Sequence, residues 1–234
     1  MLSIVIPVLN ERPTIRLLLR HLDKLAHPGT VNEVIVVDGG SDDGTHEAVC
    51  ASANELDLDI VFISSERGRA AQMNAGARKA TGSILYFLHA DSFPPHNFDH
   101  LILNKLDDGF DAGSFRMKFD SSHPVLKFSQ WFTRFNWKMC RGGDQSLFIR
   151  RSAFEALGGF NTEYAIYEDC EFIGRVYDDY KFTIIQEPLT TSARKYDQVG
   201  TVKLQYHFTV IHLKRFLGAS PERLRLYYHR NIKH

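Results

Sequence analysis

The sequence predicts an α/β protein built on a mostly parallel, twisted sheet flanked by helices. Apolar strand-like runs alternate with amphipathic segments from Leu2 to Asp91, the rhythm of βαβ units with right-handed crossovers. Two of those runs stop abruptly at an acid: Val34-Ile35-Val36-Val37 ends in Asp38-Gly39-Gly40, and Ile84 to Leu88 ends in His89-Ala90-Asp91. Unbroken Val/Ile runs suit strands covered on both faces, and ligands of open α/β sheets bind outside the strands' carboxyl ends. Asp38 and Asp91 are therefore ligand-contact candidates on one rim.

Taken in order, Leu2 to Val8 reads as a first strand, and Asn10-Glu11-Arg12-Pro13 leads into a helix with Ile15, Leu18, Leu19 and Leu22 on one face. The Asp38 strand and its glycine turn follow, then a helix from about Thr45 to Leu56, for which Asp42, Asp43 or Thr45 could serve as cap. Ile60 to Ile63 is a third strand. The stretch Ser65 to Ala77 opens with Arg67 and Arg69 and continues in small residues, so a helix there packs closely and turns its cations toward an anion, or else toward water. Ser83 to Leu88 is a fourth strand and Asp111 to Phe119 a further one.

Beyond Phe119 the alternation breaks. Phe128, Trp131, Phe132 and Phe135 fall at i, i+3, i+4 and i+7, which predicts a helix from Pro124 to Trp137 with an aromatic stripe, more readily core than the floor of an acceptor pocket. A polar turn, Gly142 to Gln145, precedes a short strand to Ile149; Gly158-Gly159-Phe160 is another turn, and Tyr167 to Phe172 begins a helix bearing Glu168, Asp169 and Glu171. Acids in a first turn suit the helix dipole, so two of the three need no further explanation. Phe182 to Gln186 is a last strand, followed by the adjacent cations Arg194 and Lys195. From Val199 the chain carries seven Lys/Arg and one acid, with Leu204, Phe208, Ile211 and Phe216 at amphipathic spacing. Such a tail packs on the domain or lies on an anionic membrane, packing being the more economical reading.

Composition narrows the function. Lys+Arg and Asp+Glu are equal at 28 each, so nothing in the overall charge points to nucleic acid. Three scattered cysteines contain no C-x-x-C pair, which argues against a disulfide framework or a zinc site and fits a cytoplasmic protein. No signal peptide and no run of eighteen apolar residues is visible. P-loop, G-x-G-x-x-G and G-x-S-x-G patterns are missing. Rim acids, a histidine beside one of them and converging arginines suit a phosphate-bearing ligand with Mg²⁺ or Mn²⁺.

These residues carry a resemblance. Ile4-Val5-Ile6-Pro7-Val8-Leu9-Asn10-Glu11, Val36 to Thr45, His89-Ala90-Asp91 and Glu168-Asp169 together resemble a family 2 glycosyltransferase of the GT-A fold, over about three quarters of the chain. The run Glu66 to Ala77, with Gly143-Asp144-Gln145 and Ser192-Ala193-Arg194, is similar to a bacterial subgroup labelled arsenosugar-biosynthesis glycosyltransferases. The resemblance implies a GT-A domain over 1–198 with a basic helical extension over 199–234. It places Pro7, Glu11 and Asp38 at the nucleotide base and ribose, and Arg69 and Asn74 beside the nucleotide-sugar. Asp144, Gln145 and Glu168 join the substrate contacts. His89-Ala90-Asp91 stands where the family has Asp-x-Asp, so Asp91 holds the metal and His89 replaces the first acid.

By the same resemblance Asp169 is the catalytic base of an inverting transfer from a nucleoside-diphosphate sugar, UDP-linked by expectation. The acceptor is a small-molecule or lipid-linked hydroxyl. Arg194 or Lys195 balances charge on the departing diphosphate, and His207 or His212 could add a metal ligand. A sugar-nucleotide sensor, a nucleotidyltransferase on a related fold and a membrane-surface transferase stay open as alternatives, as does a homo-oligomer contact on the C-terminal helices.

Overall fold

The computed structural model describes residues 1–142 and 145–232. Strands β1 (Leu2–Val8), β2 (Val31–Asp38), β3 (Ile60–Ser64) and β4 (Ile84–Phe87) run parallel, joined by α1 (Arg12–Leu25), α2 (Thr45–Glu55) and α3 (Arg69–Lys79). The predicted βαβ alternation is thus present. Next come β5 (Ser92–Phe93), α4 (Phe98–Asp107), β6 (Ala112–Phe119), α5 (Pro124–Trp131), β7 (Leu147–Arg150), α6 (Arg151–Ala156), α7 (Glu168–Asp179) and β8 (Phe182–Thr191). The chain ends in α8 (Arg194–Val199), α9 (Thr201–Phe216) and α10 (Pro221–Asn231).

The sheet order is β3-β2-β1-β4-β7-β6-β8-β5, with β7 antiparallel to both neighbours. Strand alternation divides the apolar residues between two faces. Ile4, Ile6, Val34 and Val36 meet Ile15, Leu18 and Leu22 of α1 and Phe98 of α4 on one face. Val5, Ile35 and Val37 meet Met73 and Ala77 of α3 with Phe172 and Val176 of α7 on the other. Helix α3 approaches so closely that a Cβ on Gly76 would lie 2.3 Å from a Val5 methyl.

The expected helix from Pro124 to Trp137 is shorter in the structure. It stops at Trp131, and single 3₁₀ turns follow at Phe132–Arg134 and Lys138–Cys140. The cause is polar. The Thr133 hydroxyl accepts from the Met117 N–H at 3.0 Å and donates to the Gln130 carbonyl at 2.7 Å, while the Gln130 side chain accepts from the Phe119 N–H at 2.7 Å. These bonds satisfy backbone donors of β6 and turn Thr133, instead of the aromatics, inward. The aromatic stripe is accordingly not core: Phe128 is 68% exposed, Trp131 44% and Trp137 54%.

The C-terminal helices pack a third apolar cluster, in which Leu204, Ile211 and Leu224 meet Met117, Phe119 and Leu126. Among the described residues no helix is long and apolar enough to cross a membrane.

Candidate functional site

The carboxyl ends of β1 and β4 open into a cleft of about 850 Å³, within the range of small-molecule sites. Pro7 lines it from the end of β1, Glu11 from the loop that follows, Arg69 from the first turn of α3, and His89, Ala90 and Asp91 from beyond the end of β4. Gln145, Arg194 and Lys195 complete the predicted residues on its wall. Asp144 lies outside the described residues.

Placement follows from the sheet. Leu88 N–H donates to the Val5 carbonyl, and Ser192 N–H donates to the Asp91 carbonyl at 3.2 Å, so the His89–Asp91 turn is pinned between β1 and the end of β8. Glu11 accepts from Arg194 at 2.9 Å and from the Thr14 hydroxyl at 2.6 Å. The Glu11 hydrogen bond, followed by the charges of Glu11 and Asp91, holds the Arg194 guanidinium above its ordinary pKa. Lys195 donates to the Tyr228 hydroxyl at 2.6 Å and sits over the Phe208 and Tyr228 rings at 5.5 and 4.9 Å.

Glu168 and Asp169 stand just behind the wall, between the lining residues Tyr167 and Cys170. Arg69 reaches them from the first turn of α3: its Nε is 2.6 Å from Glu168 and its Nη2 3.6 Å from Asp169. The pair fixes the start of α7 against the start of α3. Tyr167 precedes it with φ +73°, a left-handed conformation that a bulky residue adopts only under constraint from its surroundings.

Two predicted substrate contacts are placed differently. The Asp38 carboxylate, 7% exposed, accepts from the Gly40 and Ser41 amides and the Ser41 hydroxyl, closing its own loop, and does not line the cleft. Asn74 points away from the cleft; its amide donates to the Phe160 carbonyl and accepts from the Phe160 N–H, at 2.8 and 2.9 Å. Of the two histidines considered as metal ligands, His207 pairs with the Tyr227 hydroxyl and does not line the cleft, whereas His212 lines it against the Tyr167 ring.

Sequence reading missed two residues that shape the wall. Arg141, 2% exposed, donates to the Thr133 and Phe135 carbonyls, to Ser114 and to Gln145, and so ties the irregular segment to β6. Burial lowers its pKa. Gln72 donates to the Val8 and Val37 carbonyls at 2.7 and 2.8 Å, bridging the ends of β1 and β2. A lone Arg or Gln leaves no periodic signal; only the structure shows the carbonyls of β1, β2 and the irregular segment to which they donate.

For a cation the site offers Asp91, and no cluster of three His, Cys, Asp or Glu exists among the described residues. That donor set suits Mg²⁺ or Mn²⁺ taking most of its ligands from substrate phosphate and water, and does not suit an all-protein cage.

Comparison with known proteins gives the family and the fold. The family model described as "Glycosyl transferase family 2" matches residues 3–158. A probable glycosyltransferase of Bacillus subtilis, YdaM, is 29% identical over 196 residues, spanning 75% of this chain and 46% of that protein. Among solved structures, the mannosyltransferase PcManGT of Pyrobaculum calidifontis, in complex with GDP-Man and Mn²⁺, superposes with a TM-score of 0.72 over 97% of this chain and 68% of that one, at 22% identity. TarS 1-349 of S. aureus in complex with UDP superposes with a TM-score of 0.67 over 82% and 60%, at 19% identity. The chain thus spans less than half of its curated relative, and the two structures show that the fold is that of GT-A glycosyltransferases.

Proposed function

The chain belongs to glycosyltransferase family 2, and from that premise we propose that it moves a sugar from a nucleoside-diphosphate donor to an acceptor hydroxyl with inversion. The observation that carries the reading is the gathering of the His89–Asp91 turn, Arg194 and the Arg69-linked Glu168–Asp169 pair around one cleft. In this reading Asp169 accepts the proton of the acceptor hydroxyl. That oxygen bonds to the anomeric carbon while the bond from this carbon to the diphosphate oxygen breaks on the opposite face. General-base assistance of this kind contributes about 10²–10⁴-fold.

Arg194 and Lys195 meet the charge that grows on the departing diphosphate, where fixed cations in a shielded cleft act most strongly. Arg194 is already oriented by Glu11, so little reorganisation is needed. A divalent cation held by Asp91 would supply further charge neutralisation at the diphosphate. The solved relatives in complex with UDP, or with GDP-Man and Mn²⁺, support a nucleotide donor and a divalent ion here. We favour UDP, and a cytoplasmic setting fits the three free cysteines.

Titration calorimetry with UDP and GDP, each in Mn²⁺ and in EDTA, tests this on the wild type and on Asp91→Ala. Binding of one nucleotide that needs both Mn²⁺ and Asp91 is expected. Failure of both nucleotides to bind in Mn²⁺ would sink the proposal.

A further inference from the structure

The aromatic segment and the last helices leave apolar side chains in water on both sides of the cleft mouth. On one side Phe128 and Trp131 of α5 are 68% and 44% exposed, followed by Trp137 and by Met139 at 86%. Their rings form a continuous ladder: Phe128 on Phe132 at 5.1 Å, Trp131 on Phe135 at 4.9 Å, Phe135 on Trp137 at 4.8 Å. Phe132 and Met139 reach into the cleft wall. On the other side α9 carries a second apolar stripe in addition to the one it buries. Val202, Tyr206 and Leu213, with Leu217 just past the helix end, recur at helical spacing and are 55–73% exposed, with Phe216 at 86% beside them. Thr209, in the same stripe, lines the cleft.

Along these two segments the charge is one-sided, although Lys138 is paired with Asp178 of α7 at 2.8 Å. Residues 121–142 contain no acid, and residues 198–232 contain Glu222 against six Lys/Arg. In a chain whose charges otherwise balance, that is a strong local asymmetry. Lys127 next to Phe128, and Lys203 and Lys214 along the edge of the α9 stripe, set cations at the margin of the apolar surface. Arg134 lies over the Trp131 ring at 5.0 Å and Lys214 over Tyr227 at 5.1 Å.

From this we infer that the exposed faces of α5 and α9 dock the protein on an anionic lipid bilayer, with the cleft mouth at the lipid surface. Trp and Tyr favour the headgroup level, apolar side chains reach the acyl boundary, and flanking Lys/Arg meet anionic headgroups. A second copy of the chain is the less favourable occupant. A twofold contact sets the same patch against itself, which here opposes cation to cation.

The test uses the full chain, co-sedimented with phosphatidylcholine vesicles containing or lacking phosphatidylglycerol, in the absence of nucleotide, so its outcome is independent of the proposed transfer. The wild type is expected to pellet with phosphatidylglycerol vesicles and far less with phosphatidylcholine alone. Trp131→Ser combined with Leu213→Ser is expected to weaken the binding by roughly tenfold or more, since each removes an exposed apolar group without touching the buried core. An unchanged thermal midpoint and unchanged catalytic activity in detergent-free solution, if transfer is observed, certify the fold of the variant. The inference is overturned if the wild type stays in the supernatant at low salt, or if the variant binds as well as wild type, which would make the attachment purely electrostatic. It is also overturned if sedimentation velocity shows a dimer that the same substitutions dissociate.

Discussion

The Nε of Arg69 lies 2.6 Å from a carboxylate oxygen of Glu168, whose side chain is sealed from solvent. Through this contact the first turn of α3 and the first turn of α7 hold each other, and the neighbouring Asp169 takes its position from both. Arg69→Met would leave a buried carboxylate without that cation. Breaking a fully buried pair costs about 3–5 kcal/mol, and we expect about 1–3 kcal/mol here because the outer part of Arg69 faces water. Urea unfolding should show the loss, and Arg69→Lys should recover part of it, because a lysine keeps the charge and loses the planar fork. Equal midpoints for wild type and Arg69→Met would refute the structural role.

Asp169→Asn tests the base proposed for the transfer. An amide keeps the size of the side chain and cannot accept the proton, so the turnover number is expected to fall by about 10²–10⁴-fold. Nucleotide affinity measured by calorimetry should hold within about twofold, because the contacts proposed for Asp91 and Arg194 are untouched. A variant that loses affinity and keeps its turnover number would move the base to another residue.

The architecture of the first half was legible because its cues are local. Apolar runs with β-branched residues mark β1, β2 and β4, and acids at their ends mark the rim where Asp91 indeed lines the cleft. What could not be read is where a side chain spends its polar atoms. Asp38 looks the same in sequence whether it faces a ligand or the amides of Gly40 and Ser41. Asn74 likewise gives no sign that it will clamp Phe160. The aromatic spacing from Phe128 to Phe135 is helical, yet Thr133 and Gln130 bond to β6 and override it. Tertiary hydrogen bonds decided these positions, and no periodicity reports them.

Gly76 is fixed by packing. A methyl at this position would meet Val5 Cγ1 at 2.3 Å and Val37 Cγ2 at 3.0 Å, so α3 must lift from β1 or the strand must yield. Gly76→Ala gains helix propensity worth about 1 kcal/mol, but overpacking typically costs about 1–3 kcal/mol, and the clash is with rigid β-branched side chains. We expect net destabilisation in thermal unfolding. A raised midpoint would show that α3 packs more loosely on the sheet.

Asp99, sealed at the start of α4, offers a pH signature. Burial alone would raise its pKa, but hydrogen bonds from the Thr30 hydroxyl, the His27 N–H and side chain and the His100 N–H outweigh burial and hold the carboxyl below its ordinary value. Because the folded value is depressed, this stabilisation is complete above the unfolded pKa and disappears as pH falls through the folded one. The stability gap between wild type and Asp99→Asn should therefore be widest near neutral pH and shrink below about pH 4. Urea midpoints across that range measure it, and a gap independent of pH would contradict the assignment.

His89 tests how the rim would handle the proposed divalent ion. It stands at the first position of a turn whose third residue, Asp91, is the single carboxylate of that turn, and both line the cleft. A neutral imidazole can hydrogen-bond a ribose hydroxyl, but it is a poorer partner than a carboxylate for a hard cation such as Mg²⁺. His89→Asp adds a negative charge two residues from Asp91 without changing the backbone of the turn. The Mn²⁺ concentration that supports half-maximal nucleotide binding is expected to drop by about tenfold, equivalent to about 1.4 kcal/mol. The converse variant, His89→Asn, retains a hydrogen-bonding side chain without adding charge and should leave that concentration within about twofold. If His89→Asp raises the Mn²⁺ requirement instead, the imidazole itself contributes to holding the ion, and the histidine is then a ligand and not a vacancy in the acidic pair.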